Sequence, residues 1–340
     1  MKAVEYRDVN DYKIIEIEEP SVNSLLNVKV RTEYCGICGS DIHKLLYEKP
    51  NSDYVKTSIL GHEITGEIVE VSNNVKELKI GDKVVVEPLL YCNECEECKK
   101  GHIQFCKNLK SLGKDIQGGF AEYVIANEKQ LHKIGVNTDL KLATLSDPYS
   151  VAIHTRNLIN NHEQCKIAII GDGIIGISVA ELMRKRNIVT VFGKHQNRES
   201  ILKKIDVKYK SVNDINNYYD YFDVVIEAVG GRQAKTLSEA IKLCRKKGKI
   251  IVTGVYDTNF KFDISLREAF YKELQIIGCN SFENNNGKSD FTTALEFLEN
   301  ESLIANDLIS KTYDICDFDQ AIEYIKDRSN NNCIKVMIKL

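Results

Sequence analysis

The run Ile167-Ala-Ile-Ile-Gly171-Asp-Gly173-Ile-Ile-Gly176 places an apolar, β-branched stretch directly before G-x-G-x-x-G and a helix-like segment. In that setting each glycine has a task. Gly171 permits a tight turn, Gly173 lets backbone approach a pyrophosphate, and Gly176 lets helix and strand pack closely. The helix start, with Ile174 and Ile175 in its first turn, offers amide donors and a positive dipole to phosphates. A purely structural glycine turn is the alternative. From about Lys166 onward, short apolar runs (Ile167–Ile170, Ile188–Phe192, Val224–Ile226, Ile250–Val252, Leu274–Ile277) alternate with helix-like stretches. One such stretch is Ala234 to Arg245, where Leu237, Ala240, Ile241 and Cys244 fall at helical spacing. Strands separated by helices need parallel crossovers, so this part predicts a doubly wound α/β sheet.

The first ~145 residues read as sheet instead. Leu26 to Arg31 alternates apolar and polar residues, and Ile64–Val71 and Lys83–Glu87 are further β-branched runs. Between Pro88 and Gly119 the pattern changes to a loop rich in Cys, Gly and Lys. Within it Cys92, Cys95, Cys98 and Cys106 form C-x2-C-x2-C-x7-C. Four thiolates so close in sequence can close a tetrahedron around Zn²⁺ with no open position, which suits holding a loop and not binding a substrate. After Cys279 the βαβ alternation stops. Phe291, Ala294, Leu295 and Leu298 outline a helix, and Asp317-x-x-Gln320 suggests a capping box. Cys333 to Leu340 alternates again, with Ile334, Val336, Ile338 and Leu340 on one side. Asn284–Asn286 and Ser329–Asn332 read as surface turns.

A second set of metal-type donors lies earlier. Cys35-Gly-Ile-Cys38-Gly-Ser40-Asp41-Ile-His43 is followed by Gly61-His62-Glu63-Ile-Thr-Gly66. Thiolate, imidazole and carboxylate together suit Zn²⁺, and three protein ligands plus water describe a catalytic centre. With these motifs the sequence resembles the zinc-dependent medium-chain dehydrogenase/reductase family, especially its polyol (sorbitol-like) and threonine dehydrogenase branches. The signature G-H-E-x2-G is Gly61 to Gly66, Gly81-Asp82-Lys-Val follows it, and Gly118 to Val124 and the four-cysteine segment extend the likeness over almost the whole chain. Ser72 departs from it, standing where the signature usually has Gly or Ala.

The resemblance implies a GroES-like β domain with two zinc sites, joined to a Rossmann domain across an active-site cleft. The GroES-like domain would span 1–149 and 283–340, with a structural zinc lobe at about 88–110, and the Rossmann domain 150–282. Cys38 and His62 would hold the catalytic zinc, with Glu63 a direct or alternating ligand. Asp147, in an Asp-Pro pair where the polyol branch has Glu-Pro, would bind zinc directly or through water; a simple turn ahead of proline is the other reading. Ser40 and His43 match the proton-relay positions, and Asp41 would orient His62. Cys92, Cys95, Cys98 and Cys106 would hold the structural zinc. Ala228, Val229, Gly230, Thr253, Gly254 and Val255 would line the cofactor cleft. Cys35 is expected to be a buried thiol.

The second βα strand ends near Phe192, where an NAD enzyme would carry an acidic side chain for the ribose hydroxyls. The chain has Gly193-Lys194-His195-Gln196-Asn197-Arg198 there. Gly193 leaves room for a 2′-phosphate that Lys194, His195 and Arg198 could neutralise, so NADP(H) is favoured over NAD(H). The alternative is a solvated basic turn.

The expected reaction is reversible oxidation of a secondary alcohol, in a polyol, sugar or cyclitol-like substrate, to a ketone. Threonine or simple alcohol oxidation is a variant of it. A non-enzymatic NADP(H)-binding redox sensor is the rival from another class, but a sensor needs no open metal position. A zinc-independent quinone reductase conflicts with both donor sets. Lys and Arg number 46 and Asp and Glu 49, a balance that gives no electrostatic reason to expect nucleic acid or an anionic membrane. No apolar run approaches the ~20 residues of a spanning helix, and the first residues lack a secretory apolar core. A cytoplasmic protein is expected, with its eleven cysteines serving as metal ligands or buried thiols. The resemblance suggests a homodimer or homotetramer.

Overall fold

The alternating runs of the N-terminal third become strands of one mostly antiparallel sheet. The computed structural model describes every residue except 26, 48–55, 160–162, 232, 234, 257–263, 286–287 and 329. Leu26, Ala234, Asn286 and Ser329, which edge segments marked in the sequence, therefore lie outside the described residues. By internal contacts the chain divides into a first unit, Met1–Asp147 with Glu283–Glu301 and Leu308–Leu340, and a second, Pro148–Phe282 with Ser302–Asp307.

In the first unit, β1 (Val28–Gly36) pairs antiparallel with β2 (Glu63–Val71), which sets Gly36 opposite Glu63. β3 (Lys83–Val86) extends the sheet from β2, β4 (Tyr123–Ala126) pairs with β1, and β5 (Leu131–Lys133) pairs with β3. Val28, Val30, Cys35, Ile64, Ile68, Val84, Val86 and Val124 bury the inner face, so Cys35 is a core thiol as expected. Helix α1 (Gly39–Tyr47) follows β1 immediately and buries Asp41, Leu45 and Leu46. Helix α2 (Ser146–Ile159) begins with Asp147 in its first turn.

In the second unit, β6 (Lys166–Ile170), β7 (Ile188–Gly193), β8 (Lys208–Ser211), β9 (Phe222–Glu227), β10 (Cys244–Val252) and β11 (Gln275–Gly278) form a parallel sheet in the order β8-β7-β6-β9-β10-β11. The order reverses between β6 and β9, the position at which doubly wound sheets open a ligand crevice at their strand C-termini. Helix α3 (Ile174–Met183) follows β6, and α4 (Lys235–Leu243) packs against β9 and β10. α4 is shorter than its periodicity suggested. Cys244 and Arg245 already belong to β10, where Cys244 pairs with Phe222 in the ladder. Cys244 suits both roles because it is buried in either, so apolar spacing alone did not place the boundary.

The segment Ser302–Asp307, expected in the first unit, packs with the second. The buried Glu181 carboxylate on α3 collects it, accepting from Leu303 N at 2.6 Å, from the Ser302 hydroxyl at 3.1 Å and from the Tyr149 hydroxyl at 2.6 Å. Residues Asn284–Asn285 form a short strand with Lys288–Ser289, not a turn, and the Asn284 side chain donates to the Tyr91 hydroxyl at 3.1 Å. Helices α5 (Leu266–Lys272), α6 (Asp290–Asn300) and α7 (Phe318–Lys326) follow along the chain. At the start of α7 the anticipated capping box is replaced by a side-chain pair, Gln320 Nε2 donating to Asp317 Oδ1 at 2.8 Å. β12 (Ile309–Asp314) then pairs with β13 (Lys335–Lys339), which joins β1. β13 was expected to bury one face, yet Lys335 and Met337 are as buried as Val336 and Ile338. α7 covers one side of this strand pair, and the buried Thr144 hydroxyl meets Met337 on the other.

Candidate active site

Among the described residues, two groups of metal-type donors come within mutual ligand reach. In the first, one ligand atom each from Cys38, His62 and Glu63 lies within 4.8 Å of the others. The β1–β2 pairing brings them together: Cys38 sits between β1 and α1, while His62 and Glu63 open β2 beside Gly36. Asp41, buried on α1, accepts from Cys38 N at 3.0 Å, and its other oxygen lies 3.5 Å from His62 Nδ1. That fixes the imidazole orientation and leaves Nε2 directed toward the donor group. Asp147 Oδ2 is 4.0 Å from His62 Nε2, so this carboxylate stands beside the three donors without joining their group.

The electrostatics favour a cation. Burial opposes charge on His62, but Asp41 and Cys38 outweigh it and raise the imidazole well above the usual histidine range. Burial pushes the Asp147 carboxyl up to about 6, against the pull of His62 and with a further push from Glu63. Glu63 Oε1 pairs with Lys335, while Oε2 is buried without a hydrogen bond. An unsatisfied carboxylate oxygen next to a thiol and an imidazole is what an incoming Zn²⁺ would satisfy, so the donor set fits the metal. Ser40 is exposed at the start of α1, and His43 lies one turn further with its ring against Tyr47. Residues three apart share a helix face, so this hydroxyl and imidazole are neighbours on the surface of α1.

The second group is Cys92, Cys95, Cys98 and Cys106. Its geometry is that of a thiolate nest: Cys95 N points to Cys92 Sγ, Cys92 N to Cys106 Sγ and Asn108 N to Cys106 Sγ, each at 3.4 Å. Backbone N–H groups of Cys98 and Lys107 lower the Cys95 thiol to about 6, whereas burial pushes Cys98 up to about 12. The lobe docks through Gly101, whose side-chain-free face receives Asn284: Asn284 N donates to Gly101 O at 2.9 Å, and a Cβ on Gly101 would overlap the Asn284 carbonyl.

In the second unit the glycine loop has the expected form. Gly171 has φ +119°, Gly173 is the N-cap of α3 without a side-chain cap, and a Cβ on Gly176 would overlap the Gly171 carbonyl. Nothing lies within 4 Å of a Cβ on Gly173, so the loop faces open space where a pyrophosphate would approach. Ile174 and Ile175 form the first turn behind it. Ala228, Val229 and Gly230 follow β9, and Thr253, Gly254 and Val255 follow β10; Val229 is 44% and Val255 86% exposed, apolar surface suited to a flat ring. Glu227 shapes this end, accepting from Val229 N at 3.0 Å and Gly230 N at 3.2 Å. Of the basic residues after Gly193, Lys194 is exposed, Arg198 is buried, and His195 is engaged: its N–H donates to Asp172 Oδ2 at 2.8 Å and its Nδ1 lies 2.9 Å from Asp172 Oδ1. The sequence reading had all three free to face a phosphate. It also passed over Asp172 and Lys335; the one available sign for Asp172 was an acid inside G-x-G coupled with glycine at the end of β7.

Comparison with known proteins agrees with this architecture. Residues 26–136 match the alcohol dehydrogenase GroES-like domain and residues 142–340 the glucose dehydrogenase C-terminus. The D-arabitol-phosphate dehydrogenase of Enterococcus avium is 30% identical over 330 residues, covering 92% of this chain and 89% of that protein. Galactitol-1-phosphate dehydrogenase from Escherichia coli superposes with a TM-score of 0.88 at 22% identity, over 100% of both chains, a likeness of fold. A zinc-binding dehydrogenase from Sinorhizobium meliloti 1021, solved bound to NADP, superposes at 0.84 with 25% identity over 100% of this chain and 99% of that one. The chain belongs to the zinc-containing medium-chain dehydrogenase family, on its polyol dehydrogenase branch.

Proposed function

We propose that the protein catalyses reversible oxidation of a secondary alcohol group in a polyol, sugar or cyclitol-like substrate to the ketone, with a nicotinamide dinucleotide as hydride acceptor. The observation that carries this reading is the three-donor group Cys38, His62 and Glu63, one protein ligand short of a closed tetrahedron. Bound there, Zn²⁺ would supply a Lewis acid for the substrate hydroxyl, and a nicotinamide dinucleotide would supply the hydride acceptor. The chain's own groups do the rest. Asp41 holds His62 in its ligating orientation, and Asp147 provides a carboxylate beside the donors as fourth ligand or through water. Ser40 would accept the substrate hydroxyl proton while passing its own to His43, one turn along α1, which releases it to solvent. Cys92, Cys95, Cys98 and Cys106 would hold a second, structural zinc bracing the lobe.

Gly171, Gly173, Ile174, Ile175 and Gly176 would cradle the pyrophosphate, and Ala228 to Gly230 with Thr253 to Val255 the nicotinamide end. Gly193 with Lys194 and Arg198 speaks for NADP(H), the preference read from sequence. The engagement of His195 by Asp172 removes one cation and adds a carboxylate, which favours NAD(H).

A homodimer or homotetramer has a candidate surface at β11, the edge strand of its sheet, where Ile276 is exposed beside Leu266, Phe270 and Tyr271 of α5. Among the described residues no helix is long and apolar enough to cross a membrane. We place the protein in the cytoplasm, a reducing compartment in which a four-thiolate zinc lobe persists.

The test is NADH and NADPH absorbance with a panel of polyols and ketoses, run beside zinc analysis of the wild type and Cys38→Ala. Expected are two zinc equivalents and turnover for the wild type, and one equivalent with turnover abolished for the variant. Full turnover by a variant lacking one zinc overturns the Lewis-acid reading, and silence of the two-zinc wild type across the panel points to the sensor instead.

A further inference from the structure

Asp172 occupies the variable position of G-x-G. Here it is only 7% exposed, because its carboxylate folds back toward the end of β7. His195 holds it twice, through backbone N–H at 2.8 Å and ring Nδ1 at 2.9 Å. A Cβ built on Gly193 would overlap the Asp172 side chain. Gly193 is therefore glycine because another residue's carboxylate stands where its own side chain would begin.

That location has chemical meaning. Residue 193 closes the second strand of the sheet, the place from which an acidic side chain reaches the adenosine ribose in dinucleotide-binding folds. We propose that Asp172 performs this task from the preceding loop, accepting the ribose 2′-hydroxyl and selecting NAD(H) against NADP(H). The inference deepens the dehydrogenase reading and rests on it. A carboxylate offers about four lone-pair directions. His195 uses two, which leaves room for a hydroxyl donor. A 2′-phosphate has no proton to donate in its dianionic form and would bring about two negative charges against the same oxygen. Lys194 and Arg198 would attract such a phosphate; the contest is between their charge and the carboxylate that His195 holds in place. His195 acts here as a positioning residue.

The experiment is calorimetric titration of the zinc-loaded, full-length protein with NADH and with NADPH. The wild type is expected to bind NADH at least about tenfold more tightly than NADPH. Asp172→Asn, which keeps the size of the side chain and an acceptor for His195 N–H, is expected to weaken NADH about tenfold while NADPH binding holds or improves. A thermal melt of the variant checks that it folds; the wild-type ratio stands as a test even where it does not. Tighter NADPH binding by the wild type, or an unchanged ratio in a folded Asp172→Asn, overturns the inference and leaves the dehydrogenase reading intact. Binding of neither dinucleotide overturns both.

Discussion

The Lys335 ammonium lies 2.6 Å from Glu63 Oε1, with the two side chains 2% and 1% exposed. The pair joins β13 to the start of β2 across Gly36 of β1, and Lys335 also donates to Ile37 O at 3.1 Å. Burial disfavours the charged lysine, but Glu63, Cys38 and Asp147 outweigh it and raise its pKa. A buried charge with its partner removed costs about 3–5 kcal/mol, whereas replacing both members by neutral groups costs far less. Lys335→Met should therefore lower the unfolding free energy by about 3 kcal/mol, and the Glu63→Gln, Lys335→Met double variant should lose clearly less than the two singles together. Urea denaturation of the zinc-loaded proteins gives the cycle, and strict additivity would show that the pair is not coupled.

The four-cysteine lobe should fail locally when one thiolate is lost. Cys106 is buried and receives backbone N–H groups from Cys92 and Asn108 at 3.4 Å. Cys106→Ser should release one zinc equivalent while the Cys38 group keeps the other. Trypsin should then cut at Lys99, Lys100 or Lys107, and mass analysis of fragments alongside zinc content checks it. Loss of both metals at once would mean that the centres are linked.

Two glycines of the dinucleotide loop should separate folding from binding. A Cβ on Gly176 would overlap the Gly171 carbonyl and reach Ile169 at 3.3 Å, so Gly176→Ala must push α3 from its strand, at about 1–3 kcal/mol. A Cβ on Gly173 meets nothing within 4 Å, and the backbone there (φ −84°) accepts alanine. Gly173→Ala should melt like the wild type yet bind NADH more weakly, because its methyl stands in the phosphate approach. Thermal melts and a fluorescence titration distinguish the two; equal NADH affinity in Gly173→Ala would place the pyrophosphate elsewhere.

What the sequence displayed and what it hid follow from distance along the chain. The Cys92–Cys106 lobe and the glycine loop are legible because each collects its chemistry within a few turns of local backbone. Strands buried on both faces, such as β6, read clearly as apolar runs. β8 was missed because it is an edge strand with the sequence Lys-Tyr-Lys-Ser, in which only Tyr209 is buried. Lys335 lay hidden for the opposite reason. The alternation around it implied an exposed face, and its partner Glu63 is 272 residues away, so only the sheet register brings the charges together. The Asp172–His195 pair likewise depends on β6 and β7 being adjacent and in register, a relation that no short motif encodes.

Glu87, which follows β3, offers a pH test outside both metal-donor groups. Its Oε2 lies 2.8 Å from His132 Nε2, while Oε1 is buried without a hydrogen bond. Burial raises the Glu87 carboxyl above its ordinary range, and the attraction of His132 opposes this without cancelling it. An acid whose pKa is higher in the folded chain is bound to more protons there than in the unfolded chain. Its contribution to stability is thus complete below about pH 4.5, and it is lost as pH rises through the folded value. Glu87→Gln mimics the protonated state at every pH. Relative to the wild type it should gain stability as the pH is raised from about 4 toward about 7, the gap widening with pH. Urea unfolding of both proteins across that range measures the gap. Parallel curves would show that the carboxylate is fully satisfied by His132 when ionised.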